Sequence, residues 1–154
     1  MKNNFSIFGF LGPIFSSLLG LLGAIIVIVL LKLLNIFLNV EILSDISSFL
    51  LKAIFFLFAL SIIIGYANYF ANLNRGLNAL APFFSSIAGA LIIIFIIQLL
   101  EVINNHVQIN FLKTISALVM QNIALVFALL VCISYAGYFL EMLGINSHTG
   151  KGRK

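Results

Sequence analysis

Residues 3–31 read NNFSIFGFLGPIFSSLLGLLGAIIVIVLL and contain no charged side chain. The run 23–31 is apolar on every side, unlike the alternating pattern of a membrane β-strand. In lipid, a helix is the structure that satisfies the backbone hydrogen bonds of such a run internally. About 20 apolar residues are enough to cross the bilayer, so this stretch predicts a transmembrane helix.

Three further stretches, 53–74, 76–100 and 114–140, also lack charge. Their lengths are 22, 25 and 27 residues, so each is long enough to cross a bilayer once. The sequence therefore predicts four transmembrane helices, near 11–38, 46–70, 80–104 and 115–141.

The composition supports the same class of protein. Hydrophobic residues make up 63% of the 154 positions and charged residues 8%, whereas soluble chains average about 45–50% apolar and about 25% charged. Eight basic and four acidic side chains are too few to cover a soluble fold of this size. We predict a single all-α integral membrane domain over 1–154, with the lipid bilayer as its partner and no nucleic acid.

The chain matches itself when it is shifted by 69 residues. Residues 11–70 align with 80–139 without a gap, with 24 identities in 60 positions. The match aligns the two prolines, Pro13 and Pro82, and all four tyrosines, which a shared apolar bias would not do. A hairpin of two spans returns the chain to its starting side. We therefore predict two parallel two-helix repeats, 11–70 and 80–139, related by an axis along the membrane normal.

The basic residues predict the orientation. With four spans, both termini and the 71–79 loop share one side, which holds five basic residues, against three near the other side. This excess predicts a multi-pass protein of the cell membrane with both termini and the basic tail 146–154 in the cytoplasm. Pro13 and Pro82 predict helix starts, because the N–H that proline lacks is not needed in the first turn.

The first helix of each repeat carries a line of small residues at four-residue spacing. Such lines let helix backbones approach closely in lipid. Three interpretations remain open: packing within the chain, contact between subunits, and lining of a pore by Ser16, Ser17, Ser85 and Ser86. The predicted packing residues are Gly12, Ser16, Gly20, Ala24, Ala81, Ser85 and Gly89.

Lys32 and Glu101 occupy equivalent positions in the two repeats and have opposite charge. They are either a candidate charge pair or two side chains that extend separately to the interface. Polar residues within apolar runs either join helices by hydrogen bonds or serve conduction or substrate binding. The candidate intramembrane polar residues are Lys52, Gln98, Gln121 and Asn122.

The sequence contains no catalytic constellation. Cys132 is the single cysteine, and His106 and His148 are predicted to lie on opposite sides of the membrane. No phosphate-binding, dinucleotide-binding or zinc-protease motif is present. We therefore predict that the protein is not an enzyme and needs no cofactor or metal.

Each repeat opens with Leu-x-Pro, at Leu11-Gly12-Pro13 and Leu80-Ala81-Pro82, followed by small residues and a long apolar helix. The second repeat closes with Leu-Gly-Ile at 143–145. This order resembles the transmembrane-helix repeat of some relatives of the small-conductance mechanosensitive channels. The sequence departs from that pattern in lacking tryptophan, and no soluble β-domain is expected after the fourth span.

The resemblance implies a channel-like or membrane-sensing module and implies no catalytic residues. We therefore predict a small oligomeric membrane channel or membrane-sensing module. Two other functions remain open: a structural or assembly subunit of a larger membrane complex, and a small substrate carrier. The expected partners are further copies of the chain or other membrane proteins.

Overall fold

The computed structural model describes residues 7–73 and 76–143 of the chain. Helices account for 92% of these residues and none of them lies in a strand, so the all-α prediction is confirmed. The predicted tail 146–154 and His148 lie outside the described residues. A short 3-10 helix, Leu77–Leu80, precedes α4. The six α-helices are α1 (Ile7–Leu38), α2 (Glu41–Lys52), α3 (Ile54–Ala71), α4 (Ala81–Val107), α5 (Asn110–Gln121) and α6 (Ile123–Met142).

Four of these helices, α1, α3, α4 and α6, are long and apolar enough to cross a membrane. Their number agrees with the sequence prediction. With 18 residues, α3 is the shortest, and at 1.5 Å per residue it is about 27 Å long. This length is close to the hydrocarbon thickness of about 30 Å.

The predicted single helices 46–70 and 115–141 are wrong, because each is divided in two. The breaks lie at Ala53 and Asn122, whose backbones leave the helical conformation with ψ angles of 3° and 21°. Beside the second break, the Asn122 amide donates to the carbonyl of Leu118 at 2.8 Å, and such local side-chain bonds compete with the helix. The short helices α2 and α5 therefore precede the membrane-length helices α3 and α6.

The predicted helix start at Pro13 is also wrong, since α1 begins at Ile7 and contains Pro13 in its interior. Helices in membranes tolerate interior proline when neighbouring groups satisfy the freed backbone atoms. At Pro82 the prediction agrees with the structure, because this proline lies in the first turn of α4.

The four long helices form a row in the order α1, α3, α4, α6. Extensive contacts join α1 to α3, α3 to α4, and α4 to α6. Each neighbouring pair is antiparallel. The start of α1 meets the end of α3, where the Phe10 and Tyr66 rings are 5.1 Å apart, and the end of α3 meets the start of α4, where Phe70 and Phe84 stack at 5.1 Å.

The short helices lie beside the opposite ends of the long helices from these aromatic contacts. Helix α2 packs against α1 and also reaches α4, whereas α5 packs mainly against α4. The Phe49 ring of α2 lies 5.5 Å from the Phe95 ring of α4. Helix α2 thus connects the first half of the chain to the second.

Helix boundaries and backbone angles recur at a spacing of 69 residues, and we call two residues at this spacing counterparts. Helix α2 begins at Glu41 and α5 at its counterpart Asn110. Before them, the counterparts Asn39 and Gln108 both adopt a left-handed backbone, with φ angles of 49° and 55°. Buried serines also occur as counterparts: Ser17 with Ser86, and Ser47 with Ser116.

Candidate functional site

A polar cavity lies between the C-terminal ends of α3 and α6 and the N-terminal end of α4. Its volume is about 620 Å³, within the range of about 300–1,000 Å³ typical of small-molecule sites. Alanines and Pro82 supply most of its apolar wall. The polar lining side chains are Asn68, Asn78, Ser85, Ser134, Tyr138 and Glu141.

The 3-10 helix Leu77–Leu80 forms one wall of this cavity and is held by α6. The Tyr138 hydroxyl donates to Oδ1 of Asn78 at 3.1 Å, and the Tyr135 hydroxyl donates to the carbonyl of Ala79 at 3.1 Å. Asn78 Oδ1 also accepts from the N–H of Gly76 at 3.3 Å. Gly76 has a φ of 112°, a conformation that favours glycine. These bonds fix the position of the cavity wall.

Gly65 and its counterpart Ser134 differ in how closely the neighbouring helix approaches. A Cβ at Gly65 would lie 2.8 Å from the Cβ of Pro13, so α1 and α3 are in contact at this level. Ser134 carries a Cβ and a hydroxyl, and both it and Pro82 border the cavity between α4 and α6. The second half of the chain therefore has open polar space at the level where the first half is closed.

The chemistry of the cavity suits polar solutes and cations. Its lining offers hydroxyl and amide groups and one carboxylate, that of Glu141. Within residues 7–73 and 76–143, no three His, Cys, Asp or Glu side chains lie close enough together to hold a metal ion. Since carboxylate, amide and hydroxyl oxygens are hard ligands, this lining interacts favourably with water and small hydrated cations.

The structure places only part of the predicted small-residue line in helix contacts. A Cβ at Gly20 would lie 3.2 Å from Oγ of Ser61 in α3, and one at Gly89 would lie 3.3 Å from Cδ1 of Leu130 in α6. Both glycines therefore permit close approach of the paired helices, as small residues do in lipid. Ala24 and Ala81 are half-buried, whereas the remaining predicted positions are exposed: Gly12, Ser16 and Ser85.

The contact face near the start of α1 and α4 lies one residue further along than predicted. Ser17 and Ser86 are buried, each 1% exposed. Each donates its hydroxyl proton at 2.7 Å to a carbonyl one turn earlier, that of Pro13 or Pro82. Within one chain these two serine hydroxyls are therefore bonded to their own helices and buried in helix contacts, and they do not face an open path.

The structure does not bring Lys32 and Glu101 together. Lys32 lies on α1 and Glu101 on α4, and both side chains are exposed. Helix α3 lies between these two helices in the row, so counterparts on α1 and α4 are not neighbours. Among residues 7–73 and 76–143, the carboxylate of Asp45 instead contacts the imidazole of His106.

The four candidate intramembrane polar residues fall into two groups. Gln98 lies within α4 and is exposed. Lys52 and Gln121 are the last residues of α2 and α5, and Asn122 lies at the second break. The latter three therefore lie just before the membrane-length helices α3 and α6, not inside them.

Two polar features of the structure were not predicted from the sequence. The Nε2 atom of His106 lies 3.0 Å from a carboxylate oxygen of Asp45, which joins α4 to α2. The polar cavity is the other. Residues that form each feature are distant in sequence, and 61 positions separate Asp45 from His106. The one available signal was that both residues flank predicted spans near the same membrane surface.

Comparison of the chain with protein-family models, with curated proteins and with solved structures finds no match in any of the three. The functional assignment therefore rests on the residues of the chain itself.

Proposed function

We propose that the chain is a small oligomeric channel or membrane-sensing module of the cell membrane. It would contain two parallel two-helix repeats, with both termini in the cytoplasm. The observation that carries this proposal is the polar cavity at the ends of α3, α4 and α6, because a polar opening between membrane-length helices is a feature of ion and solute pathways.

The surface of the long helices supports membrane insertion. The most apolar 18-residue windows of α1, α3, α4 and α6 are only 11%, 11%, 22% and 0% buried within the chain. Large apolar side chains such as Phe55 and Ile133 project outward from these helices. In water this surface would cause aggregation, whereas in a bilayer lipid tails cover it.

Internal contacts of the two halves support the repeat. Gly20 approaches Ser61 in the first half, and their counterparts Gly89 and Leu130 approach each other in the second. The left-handed turns and buried serine pairs recur at the same spacing. Both hairpins run in the same direction along the row, which agrees with parallel repeats related by an axis along the membrane normal.

Glu141 gives the channel proposal an experimental test. In liposomes containing the purified protein, we expect an ion flux with a preference for cations. Glu141→Gln removes the one carboxylate of the cavity lining. A charge about 4 Å from a passing ion contributes about 1 kcal/mol in water-like surroundings, or roughly five-fold. The cation-to-anion permeability ratio should therefore fall several-fold.

Glu101→Gln is the matched control for this measurement, because Glu101 is exposed on α4 and does not line the cavity. Its ratio should stay close to that of the unchanged protein. If the unchanged protein gives no flux above empty liposomes, the channel proposal should be abandoned.

A structural or assembly subunit is the second candidate, favoured by the outer face of α6. This helix contains no buried residue within the chain, unlike α3. Co-purification of a stoichiometric partner in mild detergent, without flux, would favour this function. A small substrate carrier is the third candidate, because the cavity volume of about 620 Å³ fits a small polar solute.

The proposed orientation predicts a labelling pattern. Cys132, which is exposed, is first replaced by serine, and single cysteines are then introduced at Gly150 or Gln108. A membrane-impermeant thiol reagent added outside intact cells should label Gln108→Cys and leave Gly150→Cys unlabelled. The reverse pattern would invert the orientation, and labelling of both positions would contradict the four-span topology.

A further inference from the structure

The two halves of the chain meet in a well-packed interface between α2 and α3 on one side and α4 on the other. Phe84 of α4 packs against Phe70 and Tyr66 of α3, with ring centroids 5.1 and 6.2 Å apart. Phe95 of α4 packs against Phe56 of α3 at 6.1 Å. At the C-terminal end of α4, His106 contacts Asp45 of α2.

On α4 this interface occupies a single face, which is covered except at His106. Phe84, Phe95 and His106 supply its contacts with α2 and α3. Between them Ala88 is buried, and Leu91 and Val102 are half-buried. At 100° per residue all six positions lie on one side of the helix.

The counterparts of this face on α1 are uncovered. Phe15, the counterpart of the half-buried Phe84, is 66% exposed, and Leu19, the counterpart of the buried Ala88, is 72% exposed. Their positions form a continuous apolar face opposite the side of α1 that packs on α3. The exposed residues of this face are Phe15, Leu19, Leu22, Ile26, Leu33 and Phe37.

The partner side of the interface shows the same difference. On α3, Leu60 and Phe70 are each 8% exposed. Their counterparts on α6, Leu129 and Phe139, are 53% and 56% exposed. On α5, Leu118 is also exposed, whereas its counterpart Phe49 packs against Phe95. The row thus ends in two unpartnered faces, one on α1 and one on α5 and α6.

We propose that these two end faces bind each other in neighbouring copies of the chain. The face of α5 and α6 in one copy packs against α1 of the next and repeats the contact that α2 and α3 make with α4. This inference rests on the proposed repeat. It names a second copy as the occupant because the two faces are counterparts of the two sides of an interface already formed within the chain.

The proposed contact retains the aromatic part of the interface and loses the contact between His106 and Asp45. Phe139 of one copy stacks on Phe15 of the next, as Phe70 stacks on Phe84. At the far end Thr114 and Phe37 replace Asp45 and His106, so the contact between copies there contains no charge. Leu19, larger than its counterpart Ala88, adds apolar volume to it.

Because the two faces differ, the assembly is head-to-tail. Such contacts give a ring if the rotation between copies closes, and an open chain if it does not. A rotation about the membrane normal keeps every copy in the same orientation in the bilayer. Head-to-tail rings of this kind are compatible with a central path through the membrane.

Cross-linking of two differently tagged chains tests this arrangement. In a Cys132→Ser background, one chain carries Phe15→Cys and the other Phe139→Cys, and both are expressed together and treated with a short bis-maleimide in native membranes. We expect a mixed dimer and no dimer from either chain expressed alone. A chain with both substitutions should form a ladder of higher oligomers.

Two controls accompany the experiment. Ser16→Cys replaces Phe15→Cys in the negative control, because Ser16 is exposed at the same depth but lies about 100° around the helix. Its mixed dimer should be several-fold less abundant. In the positive control, Phe70→Cys and Phe84→Cys in one chain should lose both free thiols without dimer formation.

Dimers from Phe15→Cys alone or from Phe139→Cys alone would overturn the head-to-tail contact, because they require like faces to meet. So would the absence of a mixed dimer when the positive control reacts. Failure of the channel proposal is distinguishable. Mixed dimers without ion flux leave the contact standing and reject the channel, whereas flux without mixed dimers rejects the contact alone.

Discussion

Replacing Gly65 by alanine should markedly destabilise the protein. The new Cβ would lie 2.8 Å from the Cβ of Pro13 and 3.2 Å from its Cα, and the latter atom belongs to the backbone. Helices α1 and α3 must then separate along their contact. Overpacking of this kind costs about 1–3 kcal/mol. Thermal unfolding followed by circular dichroism in mild detergent should show a clearly lower midpoint.

Gly137→Ala is the matched control, because Gly137 also lies within a long helix, α6, and a Cβ there meets no atom within 4 Å. Alanine favours helix over glycine by up to about 1 kcal/mol, so this variant should unfold at the same temperature or slightly higher. Equal midpoints for Gly65→Ala and the unchanged protein would mean that α1 and α3 do not approach at Pro13.

The number of long helices was predictable because lipid imposes a strong constraint on sequence. A chain that crosses a bilayer needs about 20 apolar residues per span, and a charged side chain within a span raises the free energy of insertion. The four charge-free stretches therefore identified α1, α3, α4 and α6. Tertiary packing had little influence on this prediction.

The breaks at Ala53 and Asn122 were not predictable from charge alone. The sequences around both breaks are largely apolar, and the prediction extended the helices through them. The distinguishing signal is the polar content of α2, where Ser44, Asp45 and Ser48 lie within five positions. A segment this polar is better accommodated near the surface than within the hydrocarbon core.

The order of the helices in the row was also not predictable from the sequence. Pairing Lys32 with Glu101 assumed that α1 and α4 are neighbours, whereas α3 lies between them. Internal repetition establishes which residues are equivalent, but equivalent residues need not touch. The cavity was missed for the same reason, since its lining comes from α3, α4, α6 and the 3-10 helix between α3 and α4.

Phe70→Ala should produce the largest loss of stability. Phe70 is buried and pairs with the rings of Phe84, Tyr69 and Tyr66, at centroid distances of 5.1, 5.6 and 6.2 Å. Lipid is as apolar as phenylalanine, so the loss comes from packing, not from exposure to water. Three aromatic pairs at about 0.5–1.5 kcal/mol each give a loss of about 1.5–4.5 kcal/mol. The unfolding midpoint in mild detergent should fall accordingly.

Phe139→Ala controls for the chemistry of this substitution. Phe139 is the counterpart of Phe70 but is mostly exposed, and its ring pairs with that of Tyr138 at a centroid distance of 5.7 Å. In detergent that separates the copies, its removal should cost less than about 1.5 kcal/mol. Equal losses for the two variants would contradict the arrangement of the row, because they would place Phe139 in a covered contact within one chain. In membranes, by contrast, Phe139→Ala should weaken the association of copies while Phe70→Ala acts within each of them.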